Sequence, residues 1–164
     1  MRIFVISLFL FVLYSGCTRD DICPEDTITT PLLVIEFRDI TNRDETKPVE
    51  NLLIYVNNTD STQVTASAIN NTTVSIPLDT EADISSFLFE FNSTSDTGNN
   101  FDTISFNYSR QEVYINRACG FKMNYSDIFV VLEEEPTTGN WILDYEILNT
   151  TIDNENEVHL AIYH

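Results

Sequence analysis

Asp79, Glu81 and Asp83 stand at alternate positions, the one-three-five spacing of a calcium loop, and Glu90 falls at position twelve. Calcium takes hard oxygen ligands, so carboxylates at this spacing could close around the ion in a non-helical loop. The pattern departs from the helical calcium hand at position six, where Ile84 replaces the glycine that makes the sharp turn, and Glu90 belongs to an alternating run. The competing reading of these residues is a solvated turn. Two further acidic runs, Asp153, Glu155 and Glu157, and Glu133-Glu134-Glu135, read as solvated turns that keep strand edges from pairing with other chains.

Other chemistry finds less support. Glycoside hydrolysis needs two carboxylates about 5 to 9.5 Å apart, one of them with a raised pKa. Among 26 acidic residues some will meet, and nothing in the sequence selects a pair. A serine nucleophile needs a base, but the only histidines are His159, in a strand-like run, and His164, the last residue. Nucleophile elbows, phosphate loops and dinucleotide fingerprints are absent from the sequence. The expectation is therefore a non-catalytic protein, with an acid-pair hydrolase as the remote alternative. Tyr55, Tyr114 and Trp141 could form a sugar- or protein-binding patch, or pack in a two-sided core.

The three cysteines divide. Met1 and Arg2 precede an apolar stretch over 3–13, then Tyr14-Ser15-Gly16-Cys17. This is a charged region, an apolar region and a small-residue cleavage site. Eleven helical residues rise about 16 Å, and a bilayer core of about 30 Å takes about 20, so the segment reads as a signal and not a span. Ser15-Gly16-Cys17 resembles a bacterial lipobox, with Tyr14 where leucine is usual. An ordinary secretory signal followed by a chance cysteine is the rival. In the lipobox reading residues 1–16 are removed, Cys17 carries the acyl chains, and more than one chain gives a stable anchor. Cys23 and Cys119 then remain as the only pair. A bridge closing so long a loop would restrict the unfolded chain by roughly 4 to 5 kcal/mol. Catalytic or metal use of these thiols is the rival, against which stand the absence of a Cys-x-x-Cys and the lack of zinc-spaced histidines.

The elements that must position these residues are short and strand-like. After a tether over 17–31, apolar runs occupy 32–40, 52–57, 62–68, 73–78, 86–92, 103–108, 112–116, 122–132, 141–148 and 157–163. Phe87, Phe89 and Phe91 alternate with Leu88, Glu90 and Asn92, and Ile104, Phe106 and Tyr108 with Ser105 and Asn107. Trp141, Leu143, Tyr145 and Ile147 repeat the period with Asp144 and Glu146 turned outward. Such spacing predicts one all-β domain over 32–164, an antiparallel β-sandwich, immunoglobulin-like or related. Thr137-Thr138-Gly139-Asn140 reads as a hairpin turn between the strand ending at Glu133 and the one starting at Trp141.

Composition bounds the partners. The chain has 164 residues, 26 acidic against 8 basic, for a net charge of −18. That field repels phosphate backbones, which excludes nucleic acid and attachment to anionic lipid by charge. A hydrophobic content of 43% distinguishes the chain from a disordered acidic tail. Asn-x-Ser/Thr sequons at Asn57, Asn70, Asn71, Asn92, Asn107, Asn124 and Asn149 would taken alone suggest a eukaryotic glycoprotein, against which the lipobox argues for bacteria.

Several segments resemble a family of uncharacterised Bacteroidota lipoproteins: residues 17–23 (CTRDDIC), Thr29-Thr30-Pro31-Leu32, Glu36-Phe37-Arg38-Asp39, Ser75-Ile76-Pro77-Leu78, 102–108 and Arg117-Ala118-Cys119-Gly120-Phe121. The resemblance implies lipidation at Cys17, a bridge from Cys23 to Cys119, an all-β domain and no assigned activity. Thr18-Arg19-Asp20-Asp21 after the lipobox resembles the signal such lipoproteins use for display on the outer face of the outer membrane. Asp26-Thr27-Ile28, Asp60-Ser61-Thr62 and Asp102-Thr103-Ile104 resemble Bacteroidota O-glycosylation sites at Thr27, Ser61 and Thr103. The expected function is an outer-membrane accessory or binding module for an envelope protein, such as a barrel, or a glycan. A calcium-dependent glycan- or ion-binding domain using Asp79, Glu81 and Asp83 is the alternative.

Overall fold

The computed structural model describes residues 22–95 and 97–164, so residues 1–16 and Cys17 lie outside the described residues. Eight strands form two four-stranded sheets. β1 (Leu33–Arg38), β3 (Thr73–Ile76), β7 (Asp144–Ile147) and β8 (Leu160–Tyr163) make the first, in the order β3-β1-β8-β7. β2 (Leu53–Val56), β4 (Ile84–Phe91), β5 (Asn100–Asn116) and β6 (Gly120–Leu132) make the second, in the order β2-β4-β5-β6. The fold is an all-β sandwich. Neighbouring strands are antiparallel except β1 and β8, which run parallel.

Alternation explains the layering. Leu33, Ile35 and Phe37 of β1 and Leu160 and Ile162 of β8 face Phe87 and Phe89 of β4, Ile104 and Phe106 of β5, and Tyr125, Ile128 and Val130 of β6 in one buried cluster. Trp141 belongs to this cluster. Its ring stacks on Phe91 at a centroid distance of 5.6 Å, and its indole N–H donates to the carbonyl of Phe89 at 3.1 Å.

Three expectations change. The run 62–68 forms no continuous strand; isolated bridges at Gln63 and Ile69 and hydrogen bonds of Val64 and Thr65 with Ile54 tie this region to β2 and the residue before it, and Val64 is the sole large apolar residue within the run. The runs 103–108 and 112–116 are one strand, β5, since the polar stretch between them keeps pairing with β6 and Arg110 is held by Asp83 at 2.6 Å. The turn at 137–140 closes no hairpin. It lies on a crossover between sheets, because β6 ends in one sheet and β7 belongs to the other.

That crossover is fixed by a buried carboxylate. Asp102 is 0% exposed, and its Oδ2 accepts a hydrogen bond from the amide of Ile142 at 2.7 Å. Burial pushes its pKa up, against the lowering effect of the Ile142, Asn140 and Trp141 hydrogen bonds. The result buries Ile142 and leaves Leu143 exposed, the reverse of the alternation expected there.

The β5–β6 hairpin reaches well past the sandwich. Seventeen residues of strand span about 55 Å, against about 20 Å for the six of β1. Asn116 Oδ1 accepts from the amides of Ala118 and Cys119 to form its turn, and Gly120 supplies the positive φ of 72° that closes it. A bulge at Asp127, φ 55°, adds one residue to β6 opposite Tyr108 and re-aims the strand.

Candidate functional site

Asp79, Glu81 and Asp83 do not form the calcium loop that their spacing suggested. Asp79 Oδ1 accepts from the amides of Glu81 at 2.7 Å and Ala82 at 3.2 Å, and Asp83 pairs with Arg110. Asp79 is used within the turn and Asp83 across to β5, and among the described residues no group of three His, Cys, Asp or Glu side chains is placed to hold a metal ion. Glu90, at the former twelfth position, lies on the outer face of β4, where it accepts from the Tyr55 hydroxyl and the Asn99 side-chain amide, both at 3.2 Å. Burial, and then the charge of Glu90, raises the pKa of Tyr55.

Cys23 and Cys119 are bridged, with their Cα atoms 4.9 Å apart at a sequence separation of 96. The bridge ties the N-terminal segment to the tip of the β5–β6 hairpin. Thr30 Oγ1 then accepts from the amide of Met123 at 3.0 Å, so the segment lies along β6 and covers part of that edge. Among the O-glycosylation candidates, Ser61 is exposed and Thr27 half-buried with its Oγ1 3.5 Å from Cys119 Sγ. Thr103 is 6% exposed in the middle of β5, paired in register with Leu88, and offers no accessible hydroxyl. Trp141 is half-buried and packs against the core, Tyr55 lies on the outer face of β2, and Tyr114 is exposed at the hairpin tip. The histidines form no catalytic pair. His159 is 1% exposed and its Nδ1 accepts from the amide of Val34 at 3.0 Å, while His164 packs edge-on against Trp141 and Phe37. Burial lowers the pKa of both.

The two outer faces differ in character. On the first sheet Glu36 bonds Arg38, Arg43 bonds Asp144 and lies 4.3 Å over the ring of Tyr163, and the Tyr163 hydroxyl donates to Glu146 at 2.8 Å. That face is a charged, solvated surface. The register of the second sheet brings Leu53 and Tyr55 of β2, Ile84 and Leu88 of β4, Phe101 of β5, and Phe129 and Val131 of β6 to its outer face. Phe129 is 62% exposed and Ile84 50%. The polar groups between them satisfy one another: Ser105 donates to Ser86 at 2.9 Å, and Asn57 donates to the same hydroxyl at 3.2 Å. Glu90, itself buried, and Lys122 near the hairpin tip are the charged side chains that this register places on the face. At one end the face runs into an open depression of about 490 Å³ between Val56, Pro77, Leu78 and Ile84.

This face was missed in the sequence, although a signal existed. Residues 128–132 read Ile-Phe-Val-Val-Leu, an unbroken apolar run that puts large side chains on both sides of an antiparallel strand. The chain has no further element among the described residues to cover the second side.

No curated protein and no solved structure matches the chain. The profile of one family, described as a family of unknown function (DUF6452), matches residues 51–164. The matched segment holds every strand of both sheets except β1, and with more than half its length covered the chain belongs to this family of unknown function.

Proposed function

We propose that the protein is a Bacteroidota lipoprotein, held at the outer membrane by acyl chains on Cys17, that acts as a non-catalytic module binding another envelope protein through the outer face of β2-β4-β5-β6. The lipobox residues Ser15-Gly16-Cys17 support the anchor. One observation carries the binding role: on a chain of net charge −18, one sheet face exposes Ile84, Phe101, Phe129 and Val131 around hydroxyls that satisfy one another. Exposed Asp127 and Glu133 flank Phe129 and Val131 along β6. A second copy would bring acid against acid, so the fitting partner has an apolar centre and a basic rim.

A photocrosslinking amino acid in place of Phe129 or Leu88, in live cells, tests this. It is expected to capture one discrete envelope protein, with no capture from Glu146 on the opposite face, and Phe129→Asp is expected to abolish capture through Leu88. Equal capture from both faces, or none from Phe129 and Leu88, overturns the reading.

A further inference from the structure

We infer that the tip of the β5–β6 hairpin is seated in the membrane interface, so that the protein meets the bilayer through a structured apolar end as well as through its acyl chains. The inference rests on the anchor reading of Cys17.

The tip is built for such a contact. Tyr114 and Phe121 face each other across the hairpin at a centroid distance of 5.2 Å and are 59% and 62% exposed. They lie on the side of the hairpin that is buried further along, at Tyr108 and Tyr125, and emerge only because the hairpin outruns the facing sheet. Beside them the bridged segment exposes Ile22 and Ile28, at 78% and 67%. Residues 113–123 contain Arg117 and Lys122 and no acid, and exposed Glu112, paired with Met123, and Glu81 mark the sandwich-side boundary of this patch. Glu25 and Asp26 are the exposed acids of the adjoining segment. A tyrosine with an apolar ring and a polar tip suits the headgroup level, with Glu81 and Glu112 on the sandwich side of the rings, where their carboxylates stay in water.

Reach decides the occupant. Six residue steps separate Cys17 from Cys23, and six extended residues span at most about 20 Å. Cys23 is bonded to Cys119 in the hairpin turn, so an acylated Cys17 at the bilayer surface would keep that turn within about 25 Å of it. The far pole, where Leu143 donates its amide to Tyr163 and Trp141 packs on Phe91, then points away from the membrane.

The full chain, purified from membranes, is reconstituted into phosphatidylcholine vesicles whose acyl chains carry bromine, a quencher of indole emission. The zwitterionic lipid leaves apolar contact as the interaction measured. The Phe121→Trp and Tyr114→Trp proteins are expected to be quenched, whereas the parent, with Trp141 half-buried at the far pole, and a Leu143→Trp protein are not. Lack of quenching in both tip variants, or equal quenching from Leu143→Trp, overturns the inference. Mass spectrometry of the Cys17 peptide reads the anchor separately: an unacylated Cys17 overturns that reading whatever the emission does, and quenching of the tip variants without acyl chains still supports the membrane-seated tip.

Discussion

His159 shows how a residue that looks like a catalytic candidate becomes a structural one. Its Nδ1 can accept the Val34 amide only while unprotonated, and burial holds its pKa below the ordinary 6.5. The unfolded chain therefore takes up the proton first as pH falls. The contribution of this group to stability is complete above pH 6.5 and is lost as pH drops below 6.5 toward the folded value. Thermal unfolding between about pH 7.5 and 5 is expected to show a falling Tm, and His159→Asn, which keeps an acceptor but does not titrate, is expected to flatten that slope. His159→Ala orphans a buried amide and is expected to cost about 1–3 kcal/mol throughout. An unchanged slope in His159→Asn would assign the acid sensitivity elsewhere, His164 being the next group with a pKa lowered by burial. At the same scale the acidic run at 79–83 is a capped turn and an ion pair: Asp79 accepts the amides of Glu81 and Ala82, and Asp83 pairs with Arg110.

At the scale of elements, the long hairpin and its staple matter most. The amide of Tyr125 bonds the carbonyl of Ile152 at 3.0 Å and that of Met123 bonds Thr30, so the free edge of β6 is covered by two separate segments. Reducing the bridge, or Cys119→Ser, is expected to lower stability by about 2–4 kcal/mol in urea denaturation, through the freedom returned to the unfolded chain. Proteolysis within residues 22–30 is expected to accelerate in step, while the β1 and β8 amides stay protected from exchange. If reduction leaves both the urea midpoint and the cleavage rate unchanged, the bridge adds nothing to packing already sufficient. The pairing of Cys23 with Cys119 was legible by elimination and by resemblance, but its consequence was not. Only the register of β5 with β6 shows that the bridge reaches the end of a hairpin that outruns its sandwich.

At the scale of the molecule, charge sets the response to solution. Among the described residues four ion pairs form, each with at least one partner side chain more than a fifth exposed, and such pairs are worth little individually. Repulsion among 26 acids outweighs them, so raising sodium chloride from about 0.01 to 0.15 M, which shortens the screening length from about 30 to 8 Å, is expected to raise Tm. Calcium at matched ionic strength is expected to add nothing beyond magnesium, and a calcium-specific rise in calorimetry would reinstate a cation site. The sequence by itself determined the inner layer. In Phe87, Phe89 and Phe91, and in Ile104, Phe106 and Tyr108, the two-residue period of a strand is local geometry, and alternate positions share a face whatever the rest of the chain does. Tertiary structure alone decided which sheet each strand joins. The segment after Glu133 crosses to β8, the first strand lies parallel to the last, and Phe129 and Val131 are left exposed. Those outcomes depend on pairings between residues far apart in sequence, chosen by the total apolar surface buried and the backbone hydrogen bonds satisfied, and no short stretch of chain encodes them.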